Sequence, residues 1–136
     1  MKATELRVGN IVTKESYDQG EKTFSREYKV RGNDLADLEI DGYIDHNDER
    51  LEPTPLTEDW LLRFGFEDWG IDYSNEGEQY VLHNVIDGTS NFEVSVVGER
   101  FYPRIDEDAC CWYKFEYVHQ LQNLYFALTN TELGLI

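Results

Sequence analysis

Along the last quarter of the chain, hydrophobic residues recur at a helical period. At about 100° per residue, Tyr117, Val118, Leu121, Leu124, Tyr125 and Leu128 fall in one band roughly 120° wide, the width of an ordinary core-facing stripe. The pattern predicts a closing amphipathic helix over 117–128. Gln120, Gln122 and Asn123 lie outside the stripe. Phe126 points nearly opposite it, beside His119, and an apolar ring there needs cover from a second layer or a partner.

Upstream the period drops to two. Leu6-Arg-Val-Gly-Asn-Ile-Val-Thr13 has the alternation and β-branching of a strand, with a bulge or kink expected at Gly9-Asn10. Residues 14–21 are polar and include Gly20, so they read as a loop. Residues 24–31 alternate through Phe24, Tyr28 and Val30, and Gly32-Asn33-Asp34 is a turn signal. Residues 35–40 and Tyr43-Ile44 flank Asp41-Gly42, which predicts a hairpin. Short strands joined by tight turns point to a small SH3-like β unit.

Pro53-Thr-Pro55 marks the expected boundary, because proline interrupts strand pairing. A short helix follows in Leu56-Thr-Glu-Asp-Trp-Leu-Leu-Arg-Phe-Gly65. Thr57 is placed to cap its free N–H groups, and Glu58 and Asp59 complement the positive end of the dipole. Gly65 suits the left-handed position after the last turn, and Trp60, Leu61 and Phe64 form the buried stripe. Residues 66–73, 79–85, 92–97 and 100–105 then read as a meander. Its turns fall at Asn75-Glu-Gly77, Asp87-Gly88 and Val97-Gly98, and residues 111–115 could add one more strand.

Composition narrows the classes without naming a function. The 136 residues suit one compact domain or two small lobes sharing a core, and 40% hydrophobic with 14% aromatic residues is enough for a globular core. No apolar run approaches the roughly 18 residues of a membrane span. The first residues lack the apolar core of a secretion signal. The only cysteines, Cys110 and Cys111, are adjacent, a spacing that disfavours a mutual disulfide and lacks the C-x-x-C of redox or zinc sites. A reducing cytoplasm is the expected location.

Charge is the strongest deviation. The net charge is −16, and residues 1–31 hold seven Lys/Arg against five Asp/Glu, leaving −18 for residues 32–136. A field of that sign repels phosphates and anionic lipid, so direct nucleic-acid or membrane binding is not expected. It favours a basic partner protein, or simply high solubility. Homo-oligomerisation stays open.

Asp37-Leu-Glu-Ile-Asp-Gly-Tyr-Ile-Asp-His-Asn-Asp48 follows EF-hand spacing, with oxygens at positions 1, 3, 5, 9 and 12 and glycine at 6. The candidate metal ligands are Asp37, Glu39, Asp41 and Asp48. Leu38 and Ile40 give strand alternation instead, position 12 is Asp and not the usual Glu, and the flanks are not helical. An acidic hairpin with no tight calcium site is the expected reading. Asp106-Glu-Asp108 reads as a solvated turn, and Cys110-Cys111 as packing with no implied activating neighbour. His46, His83 and His119 lie far apart, outside metal spacing, and no G-x-S-x-G, P-loop or dinucleotide fingerprint exists. No catalytic residue and no cofactor is assigned.

Three stretches carry a resemblance: Glu5-Leu-Arg-Val-Gly-Asn10, Pro55-Leu-Thr-Glu-Asp-Trp-Leu-Leu-Arg-Phe-Gly-Phe66 and Tyr117-Val-His-Gln-Leu-Gln-Asn-Leu-Tyr-Phe-Ala-Leu-Thr129. They resemble a family of small acidic proteins encoded in Bacteroidetes genomes and their prophages. Asn130 stands where the family pattern has glycine, a departure that still tolerates a left-handed residue. The resemblance implies a cytoplasmic location and a mobile-element context, and no chemistry.

The expectation is therefore an α+β fold: an N-terminal β unit over 1–53, then a helix, an antiparallel meander and a closing helix over 54–136. The expected function is a non-enzymatic protein-interaction or regulatory role, accessory to a phage or mobile element. His119, Gln122 and Phe126, spaced i, i+3, i+7 on the far side of the closing helix, are the candidate interaction face, unless the N-terminal unit covers them. The second reading is a metal-dependent enzyme or metal-binding module using the acidic loops.

Overall fold

The computed structural model describes residues 5–41, 49–72, 77–105, 108–109 and 114–136. The fold is α+β, with two antiparallel sheets. Two compact units divide it: Met1–Pro55 with Tyr117–Asn123, and Leu56–Glu116 with Leu124–Ile136. The break after Pro55 falls at the proline pair, but the closing helix, which the sequence division gave wholly to the second unit, contributes residues to both.

In the first unit, strands β1 (Ile11–Asp18), β2 (Glu21–Lys29) and β3 (Glu49–Glu52) form a sheet of order β2-β1-β3. The polar stretch expected as a loop is the second half of β1. Gln19 and Gly20, with φ of 52° and 84°, join β1 to β2. Two consecutive left-handed residues twist with the strands as a primed hairpin turn requires. Residues 6–10, expected as strand, form the turn before it, where Gly9 has φ 92° and donates its N–H to Val30 O at 2.9 Å. Leu6, Val12, Val30 and Leu51 make this unit's core, with Tyr28 and Leu35 packed against it.

The predicted hairpin is overturned. Residues Gly32–Asp41 form a helix, α1. Asp34 explains the switch. Its carboxylate accepts the Arg31 N–H at 2.8 Å, the half of a capping box in which the third helical residue reaches back to the N-cap, while the Asp34 N–H donates to Arg31 O at 3.1 Å as a first-turn backbone bond. The same carboxylate accepts the Tyr28 hydroxyl at 2.8 Å, tying the helix start to β2. A residue read as part of a turn is thus the signal that begins a helix. An EF-hand loop needs an extended, turning backbone through its first six positions. The backbone of 37–41 is helical where an extended hairpin arm was expected, and the rest of the candidate loop, with Asp48, is not described. Gly42 to Asp48, with His46, lies outside the described residues, as do Asn75, Asp106, Glu107, Cys110 and Cys111.

The second unit follows the predicted order closely. Helix α2 (Glu58–Arg63) leads into β4 (Glu67–Asp72), β5 (Gly77–Ile86), β6 (Ser90–Val97), β7 (Arg100–Ile105) and β8 (Asp108–Ala109), paired in sequence order. Thr57 is the N-cap residue of α2, but its side chain makes no capping hydrogen bond, contrary to expectation. The C-terminus is closed as predicted. Gly65 has φ 90°, its N–H donates to Leu62 O at 3.0 Å, and the Phe66 N–H donates to Leu61 O at 3.0 Å. These are the two bonds of a Schellman motif. Trp60, Leu61 and Phe64 are buried, as the stripe required. One face of the sheet carries Tyr80, Phe92, Val94, Val96 and Phe101, all buried. Phe92 meets Phe66 and Tyr125 edge-on, at centroid distances of 6.0 and 5.6 Å. Phe115, where a further strand was expected, makes a single bridge with Phe101.

The closing helix is α3 (Val118–Thr129). Val118, Leu121 and Tyr125 are buried as predicted, but so are His119 and Gln122. Asn130 ends it with φ 55° and donates its N–H to Phe126 O at 2.7 Å, the left-handed cap that asparagine accepts in place of glycine.

Candidate functional site

The first half of α3 places His119 and Gln122 inside the first unit, not on a docking face. Gln122 is 2% exposed, and its Oε1 accepts the Ile11 N–H at 2.8 Å. Asn10, fully buried, donates its Nδ2 to Asn123 Oδ1 at 2.9 Å and accepts the Arg7 N–H at 2.6 Å. Arg7 Nε donates to the same Asn123 oxygen at 3.0 Å, and its Nη2 to Gln122 O at 3.2 Å. Asn123 Nδ2 donates to Glu5 O at 3.0 Å. The polar side of the helix is therefore a clasp for residues 5–11. Its work is structural: it satisfies buried backbone groups that the Gly9 turn leaves outside the sheet ladder. Phe126, third of the candidate face, is half-buried.

His119 stacks on Tyr117, with ring centroids 5.7 Å apart and planes at 8°, and its Nδ1 has no hydrogen-bond partner. Burial lowers its pKa, against a weaker opposing effect of the Glu5 carboxylate. In the folded protein the imidazole is thus neutral below the pH at which an unfolded histidine, with pKa about 6.5, takes up its proton. The linked stability is complete above that pH and is lost as the pH falls through the window beneath it. Urea midpoints should drop on moving from about pH 7 to about pH 5, and His119→Phe should flatten this dependence. An unchanged slope in the variant would assign the acid sensitivity elsewhere.

The second unit holds a different kind of arrangement. A cavity of about 320 Å³ is lined by Glu58 of α2, Ile71 of β4, Gly77 and Glu78 of β5, Val96 of β6 and Gly98 in the following turn. Residues 58 and 78 converge through Tyr80, whose hydroxyl lies 3.0 Å from Glu58 Oε2 and 3.3 Å from Glu78 Oε2. One phenol carries one proton and satisfies one carboxylate at a time. Desolvation, then the Glu58 hydrogen bond and its negative charge, push the Tyr80 pKa well up, so the phenol stays protonated. Among the described residues neither acid has a cationic partner. Gly77 keeps β5 and β6 in close register here: a Cβ on it would lie 2.5 Å from Val96 O.

Beside the cavity runs β4, which pairs only with β5 among the described strands. Its register breaks between Asp68 and Ile71. Gly70, with φ 77°, turns within that bulge and donates its N–H to Asp68 Oδ1 at 2.8 Å. The bulge leaves Trp69 51% exposed and Ile71 63% exposed. Trp69 Nε1 donates to Glu67 Oε2 at 3.2 Å, and His83 Nε2 lies 2.8 Å from the same oxygen, with the indole and imidazole centroids 5.1 Å apart. The His83 hydrogen bond, then that of Trp69, lowers the Glu67 pKa. His83 is thus a surface histidine held by Glu67 and Trp69. No group of His, Cys, Asp and Glu side chains with metal-binding geometry occurs among the described residues.

Sequence reading missed Trp69, Ile71, Glu78 and Tyr80, and gave Glu58 only a role at the helix dipole. The i, i+2 spacing of Glu78 and Tyr80 places them on one strand face, a usable signal. Nothing in the sequence brings Glu58 to them. Comparison with protein families, with curated proteins and with solved structures finds no match. No helix among the described residues is long and apolar enough to cross a membrane.

Proposed function

We propose that this chain is a non-enzymatic protein-interaction or regulatory protein whose second unit docks a basic segment of a partner protein. The β4 edge carries the reading: two large apolar side chains stand exposed at the bulge, Trp69 beside Glu67 and His83 on one face of the sheet and Ile71 opposite Glu78 on the other. Aromatic and aliphatic anchors within a polar rim are the usual energetic centre of an interface. The excess of acid in residues 32–136 steers a basic partner and repels an acidic one. The bulge obstructs simple strand addition, so side chains and not a continued ladder make the contact. The resemblance to the Bacteroidetes and prophage proteins supports setting this role in the cytoplasm, as an accessory of a phage or other mobile element.

A peptide alternating lysine and leucine tests the docking. Titrated by calorimetry, it should bind with an affinity that falls with added salt, and Trp69→Ser combined with Ile71→Ser should weaken it about tenfold, the effect of losing about 1.4 kcal/mol. Equal affinity for the doubly substituted protein, or equal binding of a glutamate–leucine peptide, would sink the reading.

A further inference from the structure

We propose that the cavity between α2 and the β4–β5 edge is a subsite for one primary ammonium, the lysine side chain of a basic partner segment, with Ile71 packing its aliphatic stem. This rests on the docking role of β4 and adds the group recognised there. Two carboxylates line the cavity, those of Glu58 and Glu78, and the buried Tyr80 phenol lies within 3.0 and 3.3 Å of them. An ammonium has three donors and no acceptor, and so can bridge two carboxylates at once. The charge is unbalanced before binding. Two carboxylates share one proton donor, and no cation among the described residues neutralises either. Tyr80 itself is 2% exposed, so a fixed group stands behind the carboxylates.

The walls fit the rest of such a side chain. Ile71, 63% exposed, and Val96 offer apolar surface to methylenes, and Gly98 has open space where a side chain would stand. Lysine characteristically lays its stem along apolar surface while its charged end finds polar company. The cavity, about 320 Å³, is at the lower end of small-ligand pockets, suited to one side chain and its approach.

The full chain should be titrated, by amide NMR shifts and calorimetry, with Nα-acetyl-lysine methylamide, its arginine counterpart and the uncharged norleucine isostere. The lysine probe should give saturable shifts at Ile71, Glu78 and Gly98, and norleucine none. Glu58→Gln and Glu78→Gln should each weaken it about fivefold. Glutamine still offers Tyr80 an acceptor, so both variants should melt like the wild type. Equal binding of norleucine, tighter binding of arginine, or indifference to both substitutions would overturn the proposal. If the lysine–leucine peptide binds the doubly substituted Glu58→Gln/Glu78→Gln protein as well as wild type, the subsite fails and the β4 docking stands. If the lysine probe binds but the Trp69 and Ile71 substitutions leave peptide affinity unchanged, docking fails and the subsite stands.

Discussion

Phe92→Ala should lower the stability of the second unit by about 3–5 kcal/mol, the range for truncating a buried phenylalanine. The ring is fully buried and lies edge-on between Phe66, which follows α2, and Tyr125 on the second half of α3. Its loss removes the apolar transfer term, both edge-to-face contacts and the packing that sets α2 and α3 against the sheet. Small domains hold only about 5–15 kcal/mol in total, so the variant should be close to unfolding at room temperature. Urea denaturation followed by tryptophan emission checks this: the midpoint should fall sharply with the slope preserved. Phe92→Leu, which keeps most of the volume, should recover more than half of the loss. A midpoint shift of the size expected for a surface substitution would show that the sheet core is organised around other residues.

The second unit was the legible half. Its strands alternate because one face is buried, and Asp87, Gly88 and Gly98 take the positive φ that turns between such strands require. The α2 end was equally readable, since the Gly65 position and the Trp60, Leu61 and Phe64 stripe are local facts about a short segment. The first unit hid its structure for physical reasons. Only part of β1 is buried, so Thr13 to Asp18 show no apolar alternation, and Gln19-Gly20 is a weaker turn signal than Asn-Gly. The segment from Gly32 reads as a turn until Asp34 reaches back to the Arg31 N–H, a choice that depends on Tyr28 of the neighbouring strand. The acidic cavity was beyond reach for another reason. Any of 28 acids could have lined it, and their convergence depends on bringing α2 against β5.

Gln122→Leu is expected to cost about 2–3 kcal/mol, most of it the penalty for leaving a buried donor without a partner. On a helical wheel Gln122 lies outside the hydrophobic stripe, where substitution of an exposed residue moves stability by about 0.5 kcal/mol or less. The two placements therefore make different numbers. Its Oε1 is the acceptor of the Ile11 N–H at 2.8 Å, at the point where the chain leaves the Gly9 turn and enters β1. Asn10 Nδ2 keeps Asn123 Oδ1 at 2.9 Å after the substitution, so part of the clasp survives and the loss is bounded. The Ile11 amide has no such reserve. Leucine fills a similar volume, which separates the missing hydrogen bond from a cavity effect. Gln122→Glu restores an acceptor but buries a charge, so it should be destabilised at neutral pH and recover as acid protonates the side chain. Hydrogen exchange at the Ile11 amide provides the local readout: it should be slow in the wild type and accelerate in Gln122→Leu. A neutral Gln122→Leu with Ile11 still protected would return Gln122 to the solvent face and restore it as part of an interaction surface.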